Sequence, residues 1–212
     1  RRPHMSGTWR GLALCLVGCP LLRASLAPTT PLRRLGRPPK PLCASDSPCI
    51  RPATPADAHA IHGMVIDLAE HVGLAAQVNM DAQGLARDME SGKFFCFMAE
   101  LRGCPVGFAL CYRTYSTWDG AGVYLEDLYV RPEARGDGVG TLLIRKVVDE
   151  ALREGCKRLQ WQTLSTNVKA LRFYEAKCFA RERTEGATAE GETVRWVNII
   201  MRDGDMRRFV GE

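Results

Sequence analysis

The fold turns on one stretch: Glu126-Asp127-Leu128-Tyr129-Val130-Arg131-Pro132-Glu133-Ala134-Arg135-Gly136-Asp137-Gly138-Val139-Gly140-Thr141. It opens as the end of a strand, which finishes at Val130 because Pro132 cannot donate to a ladder. Gly136, Gly138 and Gly140 then lead directly into a helix. That helix has an apolar face of Val139, Leu142, Leu143, Val147 and Ala151, with Arg145, Asp149 and Arg153 opposite. Glycine permits positive φ and close approach of the backbone, so successive N–H groups can converge on an anion. The helix start adds unpaired donors and its dipole, and Arg135 adds a fixed charge. Together these suit a pyrophosphate. Two other glycine loops are excluded by the residues themselves. A triphosphate loop needs Gly-Lys-Ser/Thr where Gly140 is followed by Thr141-Leu142, and a dinucleotide fingerprint needs glycine at position 141. A tight turn without a ligand would use the same glycines, so the loop alone leaves the anion open.

Working outward, Ile50-Arg51 reads as a short strand. Thr54-Pro55-Ala56-Asp57 is a helix start, with Thr as N-cap, Pro in the first turn and Asp three residues later. Ile61, Val65, Leu68 and Val72 continue it as a buried stripe. A second helix is predicted near Asp81–Glu90, then strands over Phe94–Glu100, Val106–Tyr115 and Val123–Val130, the first two joined at Arg102-Gly103. Lys157–Thr163 reads as a strand, Val168–Lys177 as a helix and Thr193–Met201 as a closing strand. A hairpin followed by β-α-β-α-β predicts an α/β (α+β) domain, with a mixed central sheet flanked by helices on both faces.

The 212 residues carry a net charge of +5, with 46% hydrophobic and 25% charged residues, enough for one sizeable core. That charge is unevenly distributed: residues 1–45 hold eight Lys/Arg and no acid, which leaves 21 basic and 24 acidic residues in 46–212. The domain is therefore mildly acidic, which argues against nucleic acid and fits a cationic small substrate. Residues 1–46 read as a targeting segment and linker ahead of a domain over 47–212. Gly11–Leu22 is apolar but too short to span a bilayer, and Pro28–Pro41 reads as an extended linker. An Arg-rich, acid-free segment points to an intracellular protein sent to plastid or mitochondrion; the apolar run behind Arg10 also matches a secretory signal, and a simple extension is the third alternative. The nine cysteines form no C-x-x-C pair or zinc spacing, so reduced, mostly buried thiols and no metal are expected.

Arg135-Gly136-x-Gly138-x-Gly140 after a strand resembles the acetyl-CoA signature of the GNAT acyltransferase superfamily. Asn167-Val168-Lys169-Ala170-Leu171-Arg172-Phe173-Tyr174 resembles its second signature. Ile50-Arg51-Pro52-Ala53-Thr54 with Ala56-Asp57, then Tyr115-Ser116-Thr117-Trp118 and Tyr124-Leu125-Glu126-Asp127-Leu128, look like the diamine (spermidine/spermine) and thialysine N-acetyltransferase branch. The resemblance runs from about Cys49 to Phe209 and is thin after Tyr174. It implies a GNAT-like, mostly antiparallel sheet, acetyl-CoA as co-substrate, a small diamine- or lysine-like amine as partner, and a homodimer with no membrane attachment. A protein amine as acceptor, or an acyl-CoA-binding module without catalysis, are the alternatives.

The resemblance also implies roles. The backbone of Leu128, Tyr129 and Val130 would pair with the pantetheine arm. The amides of Arg135, Gly136, Asp137, Gly138, Val139, Gly140 and Thr141 would take the pyrophosphate, and Asn167 would contact the cofactor. Tyr174 would protonate the departing thiolate, since a phenol of pKa near ~10 keeps its proton at neutral pH; its structural alternative is an aromatic packed on the sheet. Glu126 would take the ammonium proton, a buried ion pair being the alternative. Strict alternation puts Tyr124, Glu126 and Leu128 on one face and Leu125 and Asp127 on the other, and Asp127 reads as structural. Trp118, Gln160 and Gln162 are candidates for the acceptor side, a cover for the sheet edge being the alternative for Trp118. Four departures fall there too: Ser165-Thr166 replace an acid and a tryptophan, His71-Val72 replace an aromatic–acidic pair, Cys178 replaces a glycine, and Arg181–Arg195 matches poorly.

Overall fold

The computed structural model describes residues 46–178, 181–183 and 196–212. In chain order they form β1 (Cys49–Pro52), α1 (Ala58–His71), α2 (Ala82–Glu90), β2 (Phe95–Leu101), β3 (Cys104–Ser116), β4 (Gly120–Val130) and α3 (Val139–Arg153), followed by β5 (Arg158–Leu164), α4 (Val168–Cys178), β6 (Arg181–Arg183), β7 (Trp196–Arg202) and α5 (Asp203–Val210). The targeting segment expected over 1–46 lies almost wholly outside the described residues. So do the first residues of the strand expected from Thr193.

The sheet has seven strands in the order β1-β2-β3-β4-β5-β7-β6. Every neighbouring pair is antiparallel except β4 and β5, which run parallel. This is the mixed, mostly antiparallel sheet expected from the sequence. The hairpin between β2 and β3 turns at Arg102 and Gly103, both at positive φ (52° and 76°), the backbone of a tight two-residue turn whose twist suits the strands.

Each face of the sheet has its own core. On one side α3, α4 and α5 bury Val139, Leu143, Ile144, Val147, Tyr174 and Met206 against Val123, Leu125, Leu159 and Trp161. On the other, α1 and α2 bury Ile61, Met64 and Leu85 against Met98, Phe108, Leu110 and Tyr129. Leu142, expected on the buried face of α3, is 38% exposed; Ile144 and Val148 take that face instead, because the stripe is rotated by about one residue.

Two devices fix α1 and α2. Thr54 caps a single 3-10 turn before α1, its backbone N–H donating to Asp57 at 2.8 Å. The same Asp57 accepts both terminal nitrogens of Arg51 (2.8 and 2.7 Å), while Arg51 Nε donates to Glu100 at 2.8 Å. The Arg51 hydrogen bonds hold the Asp57 carboxyl down at about 2. The Arg51–Asp57 motif thus ties β1 and β2 to the start of α1. For α2, Asp81 is the N-cap and accepts from the Gly84 N–H at 2.6 Å.

Among the described cysteines, Cys96, Cys111, Cys156 and Cys178 are free and buried and Cys104 is free and exposed, as expected of reduced thiols. Cys49 departs from that expectation: it is disulfide-bonded. Among the described residues no helix is long and apolar enough to cross a membrane.

Candidate active site

The site originates in an irregularity of β4. Leu110 on β3 pairs with Asp127 while the next residue, Cys111, pairs with Leu125, so Glu126 is an extra residue in a β-bulge. The bulge overturns the strict alternation expected here. Leu125 and Leu128 both pack into the core beneath α3, while Asp127 and Tyr129 turn to the α1 side with their partners Leu110 and Phe108. A bulge adds one residue, so every side chain beyond it changes face. Glu126 is left exposed at the kink.

Beside the bulge the sheet opens. The ladder between β4 and β5 holds only Val123↔Leu159 and Tyr124↔Gln160 among the described residues. Beyond Tyr124 the strands part, leaving the Leu128–Val130 edge of β4 toward β5 without a strand partner among the described residues. An exposed strand edge of this kind accepts an extended, amide-bearing ligand by adding it as a strand.

Two cavities meet in this opening. One, of about 390 Å³, runs along Leu128, Tyr129 and Val130 to Arg135, Gly136, Gly138, Val139, Gly140 and Thr141. At its end Gly136 and Gly138 have φ of 97° and 79°, and Gly138 is the left-handed residue at the N-cap of α3. No side chain caps that helix, so its first amides keep their hydrogens for a ligand. These orphaned donors and the glycine backbone fit the pyrophosphate of acetyl-CoA. The other cavity, of about 490 Å³, is bordered by Glu126, Asp127, Gln162 and Thr163 on the sheet and by α1 with the segment after it. Both cavities are lined by Leu68, Leu128, Asn167, Ala170 and Tyr174, which therefore mark the junction.

Tyr174 is 8% exposed, packed edge-on to Trp161 at 5.1 Å and beside Phe173 at 5.4 Å. Burial, with a smaller contribution from Cys178, pushes its hydroxyl above the ordinary tyrosine range, so it is protonated at neutral pH. Tyr174 is thus a core aromatic whose ring also borders both cavities. Asn167 caps α4, its Oδ1 accepting from the Ala170 N–H at 3.2 Å, which leaves its Nδ2 as the polar function for a ligand. Arg135 folds back: its Nε donates to the Val130 carbonyl at 2.8 Å and its guanidinium lies 5.6 Å from the Tyr129 ring centroid.

The remaining candidates are dispersed. Trp118 is 94% exposed at the tip of the β3–β4 hairpin, its backbone N–H donating to Ser116 Oγ, and borders neither cavity. Gln160 pairs with Tyr124 and Ile200 within the sheet and also borders neither. Gln162 lines the larger cavity and donates to Asn198. Asp137 follows Gly136 in the loop and is exposed.

Sequence reasoning missed several lining residues. Asp127, read as structural, borders the larger cavity, and burial plus the adjacent Glu126 charge raise its carboxyl to about 6. Lys169 and Lys177 line the smaller cavity. Their spacing with Phe173, four residues apart on one helix face, was readable in the sequence. Val72, expected on the buried stripe of the first helix, is its C-cap instead, and Leu74 and Val78 belong to a connection whose composition carries no site signal; only the fold brings the three to the cavity.

A mixed sheet parted between its parallel strands, with an uncapped helix start at one end of the opening, Tyr174 at the junction and carboxyl groups at the other end, fits an acetyl-CoA-dependent N-acetyltransferase. The chain belongs to the acetyltransferase (GNAT) family, whose model matches residues 65–178. It is 37% identical over 173 residues to the thialysine N-epsilon-acetyltransferase of Sus scrofa, covering 77% of this chain and 97% of that protein. To the enzyme of the same name in Caenorhabditis elegans it is 34% identical over 160 residues, covering 75% and 94%. The Salmonella typhimurium protein yncA, solved with its cofactor acetyl-CoA, superposes with a TM-score of 0.62 at 20% identity, covering 74% of this chain and 94% of that one. Arabidopsis thaliana NAA60, solved with a bisubstrate analogue, gives 0.59 at 17% identity, covering 74% and 98%. These two share the fold.

Proposed function

We propose that the protein acetylates the primary amine of a small cationic acceptor by direct attack on acetyl-CoA, with Glu126 and Tyr174 handling the two protons. The observation that carries this reading is the junction: Tyr174 borders both cavities, one ending at the α3 amides and the other at Glu126 and Asp127. The names of the similar thialysine enzymes point to the same class of acceptor.

Bound along β4, acetyl-CoA supplies an activated acetyl thioester. The α3 amides would hold its pyrophosphate and the Leu128–Val130 edge would orient its arm, directing the thioester toward the junction. Glu126 and Asp127 draw the ammonium of the acceptor into the other cavity, and Glu126 takes its proton through water. The amine nitrogen then bonds to the acetyl carbon as the carbon–sulfur bond breaks, and sheds its second proton to solvent. Tyr174 Oη, protonated at neutral pH, gives its proton to the leaving sulfur and regains one from solvent.

The test is acetyl-CoA turnover against a panel of diamines, thialysine, lysine and amino-acid amides, repeated with Glu126→Gln and Tyr174→Phe. Each variant should lose about 10²-fold or more in kcat, the usual size of one proton-transfer contribution, while binding CoA as the wild type does. Turnover unchanged in both variants would remove these residues from the chemistry.

A further inference from the structure

We infer, building on the smaller cavity as the acetyl-CoA site, that Lys169 and Lys177 on α4 recognise the phosphomonoester on the ribose of CoA and so select this cofactor over its dephospho form. The α3 start does not account for that group. Its orphaned amides, and the positive-φ backbone at Gly136 and Gly138, are neutral donors suited to the pyrophosphate. A phosphomonoester carries a charge of about −1.5 to −2 at neutral pH and three further acceptor oxygens, and cations bind such a group best. Arg135, the cation of the glycine loop, is drawn back onto β4 by the Val130 carbonyl and the Tyr129 ring.

The charge comes from the opposite wall. Lys169, Phe173 and Lys177 line the cavity from one face of α4, four residues apart. Phe173 is the fixed point between the lysines: a Cβ at Gly140 would lie 3.6 Å from its Cζ, so this face of α4 meets the first turn of α3. Each lysine therefore originates about 6 Å along the helix axis to either side of that contact. The phosphomonoester of CoA is one ribose removed from its pyrophosphate, a separation that flexible lysine stems cover. Both lysines are exposed, so each ammonium stays hydrated in the free protein and can swing onto a phosphate as a mobile point charge. Together with His71 and Arg135 they make the described lining of this cavity basic.

The experiment titrates CoA and dephospho-CoA into the full chain by calorimetry, with no acceptor present. The wild type should bind CoA about tenfold or more tightly than dephospho-CoA, as expected for two charge pairs of about fivefold each. Lys169→Met and Lys177→Met should each weaken CoA by about fivefold and leave dephospho-CoA unchanged to within about twofold. In the double variant the two ligands should bind alike. Lys146→Met removes the same charge from an exposed position of α3 that borders neither cavity, and should keep the wild-type ratio. Melting temperatures without ligand certify each fold, and Lys169→Gln or Lys177→Gln replaces a variant that melts below the wild type. Equal affinities of the wild type for both ligands overturn the inference. So does an equal loss for both ligands in the lysine variants, which would assign the lysines to the pyrophosphate, or a loss of the ratio in Lys146→Met. Because binding alone is read, a failure to acetylate any amine leaves this result standing. If the wild type binds neither ligand, the acetyl-CoA site and this inference fall together.

Discussion

Asp127 is the residue whose environment changes most between sequence and structure. Its carboxyl lies near 6 because burial penalises the charge and Glu126 repels it. Attraction of an ammonium requires the ionised form, so kcat/KM for the acceptor should rise with pH and level off above about 6. The stability effect has the opposite sign. A carboxyl whose folded pKa exceeds its unfolded value favours the native state while protonated, and that contribution is lost as pH rises through about 6. Asp127→Asn removes the buried charge, so it should stabilise the fold at pH 8 by about 2–3 kcal/mol and hardly at all near pH 4, while lowering acceptor kcat/KM. Urea unfolding of wild type and variant at both pH values checks the first part. A stability difference independent of pH would show that Asp127 does not titrate near 6.

At the scale of elements, the loop before α3 was legible because backbone physics confines its residues. Three glycines spaced by two, ahead of an amphipathic helix, leave few conformations other than the positive-φ turn seen at Gly136 and Gly138. Gly138→Ala should therefore destabilise the protein by roughly 1–2 kcal/mol, the cost of a left-handed non-glycine residue, and weaken CoA binding by tilting the first amides of α3. Gly63→Ala, mid-helix in α1 with nothing near an added Cβ, is the control and should be neutral or stabilising. Equal CoA affinity in both variants would contradict an anion site at the α3 start. The bulge at Glu126, by contrast, had no signature: it depends on how many residues β3 sets against β4, which neither strand encodes alone. Helix α5 was missed for a related reason, since the short, polar Asp203–Val210 buries Met206 but has little apolar stripe of its own to read. The catalytic candidates were legible as residue types, whereas the far wall of the larger cavity required the segment after α1 to be folded over β4.

Across the whole molecule the parted strands have a thermodynamic consequence. Strands β1–β4 and β5–β7 share only the short parallel ladder at Val123 and Tyr124 among the described residues. Residues from both halves, Leu128 to Val130 on one and Asn167, Phe173 and Tyr174 on the other, border the cofactor cavity. A ligand held between them links the halves and binds only when both are folded. At a hundredfold excess over its Kd, such a ligand adds about 2.7 kcal/mol, a rise in Tm of about 5–10 °C for a domain of this size. The shift also reports how the binding energy is distributed along the cavity. Acetyl-pantetheine, which keeps the arm and the thioester but lacks the pyrophosphate, should shift Tm far less than acetyl-CoA at the same concentration, because it leaves the α3 amides unpaired. Melting curves of the full chain with each ligand separate the two contributions. Equal shifts would assign the affinity to the β4 edge alone and remove the anion role from the glycine loop.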